Sequence, residues 1–350
     1  MPVSDYDSGS AEHPMLFIVG NSRSGTTMLG RILGSHSKVH TFGELHFFEQ
    51  MVGVEDLRRD IVLPKGNAIR LVERLLTRAR DGFFADFSPG KYRSDAEQLV
   101  DANPDRTSGA LYWAFLSHET RLADKVIPCE QTPRYLFVAD ELLARFPGAY
   151  IINMVRDPRD VVLSQRAKWK RRFLGGGTIP LREAIRAWCN YHPWLVSRLW
   201  VSCVDQALSI KSDRFMSIRF EDLLEDPESE LDAVCKFIGI DFDDRMLTVP
   251  QVGSSSGRDD PNKRGINKDR AAGWRKARMR PGLRLLVEWV CRDRMQRFGY
   301  GEFLHNGRFS IRSLPSIITL PAKLVLAFLA NLRRFPHLLE SVRRRFGPKG

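Results

Sequence analysis

Met15-Leu16-Phe17-Ile18-Val19-Gly20, followed at once by Asn21-Ser22-Arg23-Ser24-Gly25-Thr26-Thr27, is the stretch that decides the fold. The apolar run, bounded by Pro14 and by a Gly/Ser-rich turn, has the pattern of a short strand buried on both faces. Met28, Leu29, Ile32 and Leu33 then recur at helical spacing, so the turn joins a strand to a helix. Backbone N–H groups of such a turn, with the positive end of the helix behind them, cradle a phosphate group. Gly20 and Gly25 have the spacing of a Walker A loop, but that loop closes on Gly-Lys-Ser/Thr, and here Thr26 stands in the place of the lysine. The lysine would reach the β and γ phosphates, so ATP or GTP hydrolysis is disfavoured. Arg23 supplies the cation instead, and the loop reads as built for an anion other than a γ-phosphate.

Outward from this loop the chain alternates. Helical patterns cover residues 67–80 (with Asn67 as a cap), 111–122, 133–145, 158–171, 181–210 (broken at Pro193), 227–238 and 283–298. Strand-like runs fall at Ala149–Val155 and Arg214–Arg219. Strands alternating with helices predict an α/β fold with a central parallel sheet flanked by helices. Gln251–Gly273 is too charged for a core and reads as a long polar loop, the kind that carries function or is disordered. Residues 1–14 form a polar, acidic and disordered N-terminus with no apolar stretch for a signal peptide. A boundary near 306 separates the domain of residues 15–305 from a C-terminal tail, 306–350.

The 350 residues are 43% apolar and 27% charged, which excludes disordered, collagenous and multispan membrane classes for the bulk of the chain. The five cysteines are odd in number and widely spaced, so a disulfide framework or a zinc site is not expected, and a reducing compartment fits. The net charge of +12 is uneven: the tail holds nine Lys/Arg against one Glu, leaving +4 for residues 1–305. Within those, Arg156–Arg172 has seven basic and two acidic residues, and Arg258–Arg280 has nine against three. Such clusters suit either a held anion or a solvated face. Leu314–Leu332 is apolar but interrupted by Pro315, Pro321 and Lys323, a poor spanning helix. With Arg333, Arg334 and the Arg343-Arg344-Arg345 run it makes a basic amphipathic tail for an anionic membrane surface or a partner groove. A packed helix with a solvated end is the other reading.

Arg23-Ser24-Gly25-Thr26-Thr27 after a strand resembles the donor loop of sulfotransferases that use 3′-phosphoadenosine 5′-phosphosulfate (PAPS). The resemblance implies that the loop holds the 5′-phosphosulfate and that Arg23 stabilises the leaving bridging oxygen. A second motif agrees. Val155-Arg156-Asp157-Pro158-Arg159-Asp160-Val161-Val162-Leu163-Ser164 is similar to the family's 3′-phosphate site, an Arg at a strand end with a Ser eight residues on. Arg offers a bidentate fork, and the serine hydroxyl lies on the next helix within reach of the same oxygens. The plain alternative is a surface network of Arg156 with Asp157 or Asp160. Arg219-Phe220-Glu221-Asp222-Leu223 resembles the segment whose aromatic ring lies near the adenine, which implies that place for Phe220, against a role in the core. Asn267-Lys268-Asp269-Arg270 resembles the loop that closes over the 3′-phosphate, implying Lys268 and Arg270 there, although the Arg-Lys-Gly triplet of cytosolic members is absent. Gln131-Thr132-Pro133 stands where bacterial members have Lys-Thr-Pro. The likeness spans residues 15–305 and implies a P-loop NTPase-like sulfotransferase fold.

Sulfuryl transfer to a hydroxyl needs a base for the acceptor proton and positive charge at the leaving oxygen. Thr41-Phe42-Gly43-Glu44-Leu45-His46 resembles the segment of Golgi-type and bacterial members whose Glu is the base, which implies Glu44. His46 is the rival, with the better intrinsic pKa, and a Glu needs its pKa raised by burial to match it. The structural alternative for Glu44 is a helix N-terminal carboxylate. The resemblance implies PAPS as co-substrate, with no metal demanded. The acceptor itself is not readable from the sequence; a hydroxyl or amine on a carbohydrate, lipid or small metabolite is expected, in an enzyme expected to be cytoplasmic and, through its tail, peripheral on the inner face of a membrane. Phe47, Phe48, Tyr112, Trp113, Trp169 and Trp188 are pocket or core. Two other readings compete. A nucleotide-dependent kinase needs the missing lysine, and a non-catalytic basic membrane protein rests on the tail. Nucleic acid is not expected, because the tail lacks aromatic stacking platforms.

Overall fold

The computed structural model describes residues 14–53, 61–174, 179–251 and 260–331. The expected disordered N-terminus, apart from Pro14, and the basic run beyond Asn331 lie outside these residues. Strands β1 (Met15–Gly20), β2 (Val39–Thr41), β3 (Ile127–Glu130), β4 (Ala149–Val155) and β5 (Phe215–Arg219) form one parallel sheet in the order β2-β3-β1-β4-β5. β1 is central, and its alternate residues feed two cores. Met15, Phe17 and Val19 pack on one face with the helices Lys65–Arg80, Arg93–Asp101 and Ser108–Leu122. Leu16 and Ile18 pack on the other with α1 (Thr26–Gly34) and the helix Pro227–Ile238. Leu16, Phe17, Ile18 and Val19 are fully buried, each worth roughly 1.5–3 kcal/mol of burial. The sequence expectation of an α/β fold with helices on both faces of a parallel sheet is met.

A third core, including Val161, Val162, Trp200, Trp274 and Val287, clamps the helix Pro158–Arg166 to the helices Pro193–Ser209 and Pro281–Arg297. None of the five cysteines, all buried, is in a disulfide. Several local expectations change. Pro64, not Asn67, caps the helix Lys65–Arg80, which starts a half-turn early. The pattern over 133–145 divides into a 3-10 turn, Pro133–Val138, and the helix Ala139–Arg145. The helix expected to run to 171 stops at Arg166 and tightens into a 3-10 turn over Lys168–Phe173. In the stretch read as a polar loop, β6 (Pro250–Gln251) and β7 (Asp260–Arg264) pair antiparallel, with 252–259 outside the described residues. β2 and β3 were not foreseen, being too short for a period to emerge. Beyond 306 the chain is helical over Leu314–Ile318 and Leu320–Asn331.

Candidate active site

Parallel pairing of β1 with β4 sets two loops side by side at the carboxyl edge of the sheet. The chain crosses from one half of the sheet to the other here, which is where α/β folds bind ligands. Gly20 pairs with Met154, and a Cβ on Gly20 would lie 2.5 Å from the Met154 carbonyl oxygen. The loop can therefore press against β4 only with glycine in that position. Gly25 stands at φ +100° before α1, and a Cβ there would lie 2.4 Å from the Phe220 ring. Arg23 also has positive φ. This loop conformation turns the Arg23 side chain to Ser164 of the second motif, its Nε donating to Oγ at 3.0 Å across 141 residues of sequence.

Arg156 completes the junction. Its Nη1 donates to the Arg23 carbonyl at 3.2 Å and its Nη2 to the Arg270 carbonyl at 3.3 Å, with the guanidinium 4.2 Å above the Phe220 ring. Asp160 lies 3.7 Å away. The Arg–Asp network weighed for this motif exists, but it is buried and mostly elsewhere. Asp157 caps the helix, pairs with Arg159 at 2.7 Å, and Arg159 reaches Glu288 at 3.1 Å. Asp160 accepts from the backbone N–H groups of Gly273 (3.2 Å) and Trp274 (2.6 Å), drawing the loop that carries Arg270 over the motif. Arg23, Ser24, Gly25, Thr26, Thr27, Arg156, Ser164, Phe220 and the Arg270 backbone thus lie around one end of the sheet. Lys268 does not join them: its ammonium donates to the Glu225 carbonyl at 3.0 Å.

Three buried polar atoms in this region have no hydrogen-bond partner: Asn21 Nδ2, Ser24 Oγ and Arg156 Nε. Buried donors are normally paired, and each orphan costs about 1–3 kcal/mol. Donors left open around a glycine loop at a helix N-terminus are a fit for phosphate or sulfate oxygens. Burial and the neighbouring charges of Arg156, Arg171 and Arg270 lower the Arg23 guanidinium to about 10, against the opposing pull of Glu44. An anion at this place relieves that crowding.

Glu44 and His46 form the second half of the cleft. His46 sits at φ 51°, and its two ring nitrogens face two carboxylates: Nε2 to Glu44 at 2.9 Å and Nδ1 to Glu49 at 2.8 Å. Only the imidazolium can donate both bonds. Burial opposes that charge, but the bonds to Glu44 and Glu49 prevail and the His46 pKa is raised. Burial likewise pushes Glu44 up, while the bond and charge of His46, with Lys168 and Arg134, bring it below the usual carboxylate range. Beneath them, Glu130 accepts from the Leu45 N–H (3.0 Å) and the Thr132 N–H (3.0 Å), and Thr132 Oγ1 accepts from the His46 N–H (3.3 Å). Burial pushes the Glu130 carboxyl up to about 8.

Sequence reasoning missed Glu49, Glu130 and Lys168. The signal for Lys168 was the basic run Arg156–Arg172; Glu49 and Glu130 carry none without the fold. Lys168 keeps an exposed side chain, yet the protein around it strips part of its hydration. That loss of hydration and the like charges of Arg23, Arg134 and Arg186 outweigh the attraction of Glu44 and lower it to about 8. Of the aromatics left open, Phe47, Phe48 and Tyr112 are core, with Phe47 stacked on Tyr112 at 4.4 Å, whereas Trp188 is exposed.

The chain is similar to known proteins over most of this architecture. A family model described as the sulfotransferase family matches residues 14–244. Protein-tyrosine sulfotransferase 2 of Gallus gallus is 25% identical over 238 residues, 68% of this chain and 54% of that protein. Protein-tyrosine sulfotransferase 1 of Danio rerio is 23% identical over 234 residues, 67% of this chain and 55% of that protein. The chain spans about half the length of these curated relatives. The sulfotransferase domain of the Synechococcus PCC 7002 olefin synthase aligns with a TM-score of 0.47 at 23% identity, covering 80% of this chain and 94% of that one. Matched over residues 14–244, well beyond half its length, this chain belongs to the sulfotransferase family.

Proposed function

We propose that this protein transfers the sulfuryl group of PAPS to an acceptor hydroxyl by in-line displacement, with Glu44 as the base. The observation that carries the reading is the Arg23–Ser164–Arg156 junction. It puts the cation of the glycine loop beside the arginine and serine of the second motif, with Asn21 Nδ2, Ser24 Oγ and Arg156 Nε open to accept an anion. Loop amides with Thr26 and Thr27 hold the 5′-phosphate, and Arg156 and Ser164 hold the 3′-phosphate. Phe220, stacked under Arg156, borders the adenine, and Arg270 closes that side. Lys268 joins only by leaving the Glu225 carbonyl.

Chemically, PAPS supplies an activated sulfuryl group: its bond to the bridging oxygen breaks as the acceptor oxygen bonds sulfur. Arg23 neutralises charge on the departing oxygen. Glu44, ionised throughout the working pH range, takes the acceptor proton as attack on sulfur acidifies the hydroxyl. His46 is the poorer base here, because an imidazolium donating to two carboxylates has no lone pair to accept with. It serves better to orient Glu44 and to share the proton's charge. The acceptor belongs to a carbohydrate, lipid or small metabolite, and the enzyme works on the cytoplasmic side. The kinase reading lacks its lysine at Thr26.

Calorimetric titration with 3′-phosphoadenosine 5′-phosphate (PAP), with and without magnesium, tests the donor site. The expected outcome is metal-independent binding that Arg156→Ala weakens at least a hundredfold. That is the scale of two charge-assisted hydrogen bonds at about 1.5–3 kcal/mol each. Binding of magnesium–ATP in preference to PAP sinks the reading and revives the kinase.

A further inference from the structure

The segment Ile311–Asn331 is 21 residues long and apolar enough to cross a membrane by length and composition, yet only 6% of its apolar window is buried in the protein. Ile318 is 73% exposed, Val325 59% and Leu329 55%, with Leu324, Leu326 and Phe328 also open. At about 100° per residue, the five of these that lie on the helix Leu320–Asn331, residues 324, 325, 326, 328 and 329, cover an arc of about 200°, wider than a single stripe. A groove on a partner protein takes a stripe; an apolar phase takes a broad face.

Polar ties hold this segment against the domain. His192 Nε2 meets the Ser316 carbonyl at 2.8 Å, Lys323 donates to the Trp188 carbonyl at 3.1 Å, and Asn331 donates to Asn190 Oδ1 at 2.7 Å. Arg186 donates to Asn331 Oδ1 at 3.4 Å. A helix pinned along its length to the helix Leu181–Cys189 and the turn after it cannot stand across a bilayer, but it can lie in the plane of one. The charge complements such a surface: residues 306–350 hold nine Lys/Arg and a single Glu.

The pinning helix also leads to the cleft. Leu181–Cys189 packs against the 3-10 turn Lys168–Phe173. Arg186 stands near enough to Lys168 for its charge to act there, and Lys168 in turn acts on Glu44. Along this route Phe173 (59%) and Trp188 (48%) are exposed among Lys168, Lys170, Arg171 and Arg172, the amphipathic mix of an interfacial belt.

We propose that Ile311–Asn331 docks in the plane of an anionic bilayer and holds the acceptor side of the cleft against it, so that the acceptor hydroxyl is borne by a membrane-resident amphiphile. The acceptor half of this statement rests on the sulfuryl-transfer reading; the docking half does not.

Flotation of the full chain with vesicles of phosphatidylcholine, alone or with 30% phosphatidylglycerol, tests the docking. The wild type is expected to float with the anionic vesicles, less so in 0.5 M salt, and Val325→Asp/Leu329→Asp should lower the floated fraction at least tenfold. PAP affinity, measured on the same preparations, should agree within twofold, because neither residue touches the cleft. A wild type that binds PAP but stays at the bottom of the gradient overturns the proposal. So does a double variant that floats as well as wild type, or a stable wild-type dimer that the substitutions split, which assigns the face to a second copy of the chain. If flotation holds and PAP fails to bind, docking stands and the sulfuryl-transfer reading falls. A soluble acceptor turned over equally fast with and without vesicles overturns the amphiphile half.

Discussion

On the donor side of the cleft the backbone does the building. The register of β1 against β4, the missing Cβ at Gly20 and Gly25, and the Asp157 cap of the helix Pro158–Arg166 fix where Arg23, Arg156 and Ser164 meet. On the acceptor side the positions come from side chains holding one another: Glu44 by His46, His46 by Glu49, and the loop beneath by Glu130 and Thr132. A site made by backbone persists when one side chain is trimmed. A chain of hydrogen-bonded side chains changes its charge state along its whole length when one member is replaced. Donor affinity and turnover should therefore separate cleanly by mutation.

The largest separation is expected from Glu44→Gln. Loss of the proton acceptor should lower turnover with an activated acceptor by about 10²–10⁴, the usual worth of a positioned base. PAP affinity should stay within about twofold. If PAP affinity falls in step with turnover, the two sides are one network and the comparison fails. Smaller in size and opposite in kind is Gly25→Ala. The added methyl would stand 2.4 Å from the Phe220 ring at a φ of +100°. Strain of about 1–3 kcal/mol should weaken PAP roughly five- to a hundredfold. Turnover at saturating donor should change far less, because Glu44 and His46 keep their partners.

The same division explains what could be read in advance. The donor loop is thirteen consecutive residues whose apolar run, glycines and helical spacing each speak for the same strand–turn–helix. Arg156 and Ser164 sit at a fixed interval on the next strand and helix. Local physics dictates both, so their pattern survives in one dimension. Glu49, Glu130 and Lys168 instead reach Glu44's neighbourhood from three separate elements, and only the fold brings them there. Even Glu44 needed the family likeness, for a Gly-Glu pair after a helix has no period of its own. Nor does Glu44 meet the condition of a pKa raised by burial to match a histidine: burial pushes it up, but the bond and charge of His46 bring it down. At the C-terminus the sequence shows an apolar segment with basic residues after it. Which way its faces turn depended on polar ties to residues 186–192 that composition cannot reveal.

The smallest expected effect tests whether the acceptor side carries charge into the donor's reaction. Lys168, held at about 8, is an ammonium below that pH and loses its charge above it. If that charge helps to draw the donor in, kcat/KM for PAPS falls on the alkaline side with a midpoint near pH 8. A bound donor adds negative charge beside Lys168, so the same limb in kcat/KM for the acceptor, measured at saturating PAPS, should move to higher pH. Lys168→Arg, which stays charged, should remove the limb near 8 while keeping the rate at neutral pH within a few fold. Glu130 provides the control, since burial places its carboxyl at about 8 as well. Its ionisation above that pH sets a second negative charge close to Glu44, which alters the base and not donor capture. A limb that survives Lys168→Arg and vanishes in Glu130→Gln therefore belongs to the carboxyl under the Leu45 loop. In that case charge on the acceptor side tunes proton removal alone, and the division between the two sides is sharper still.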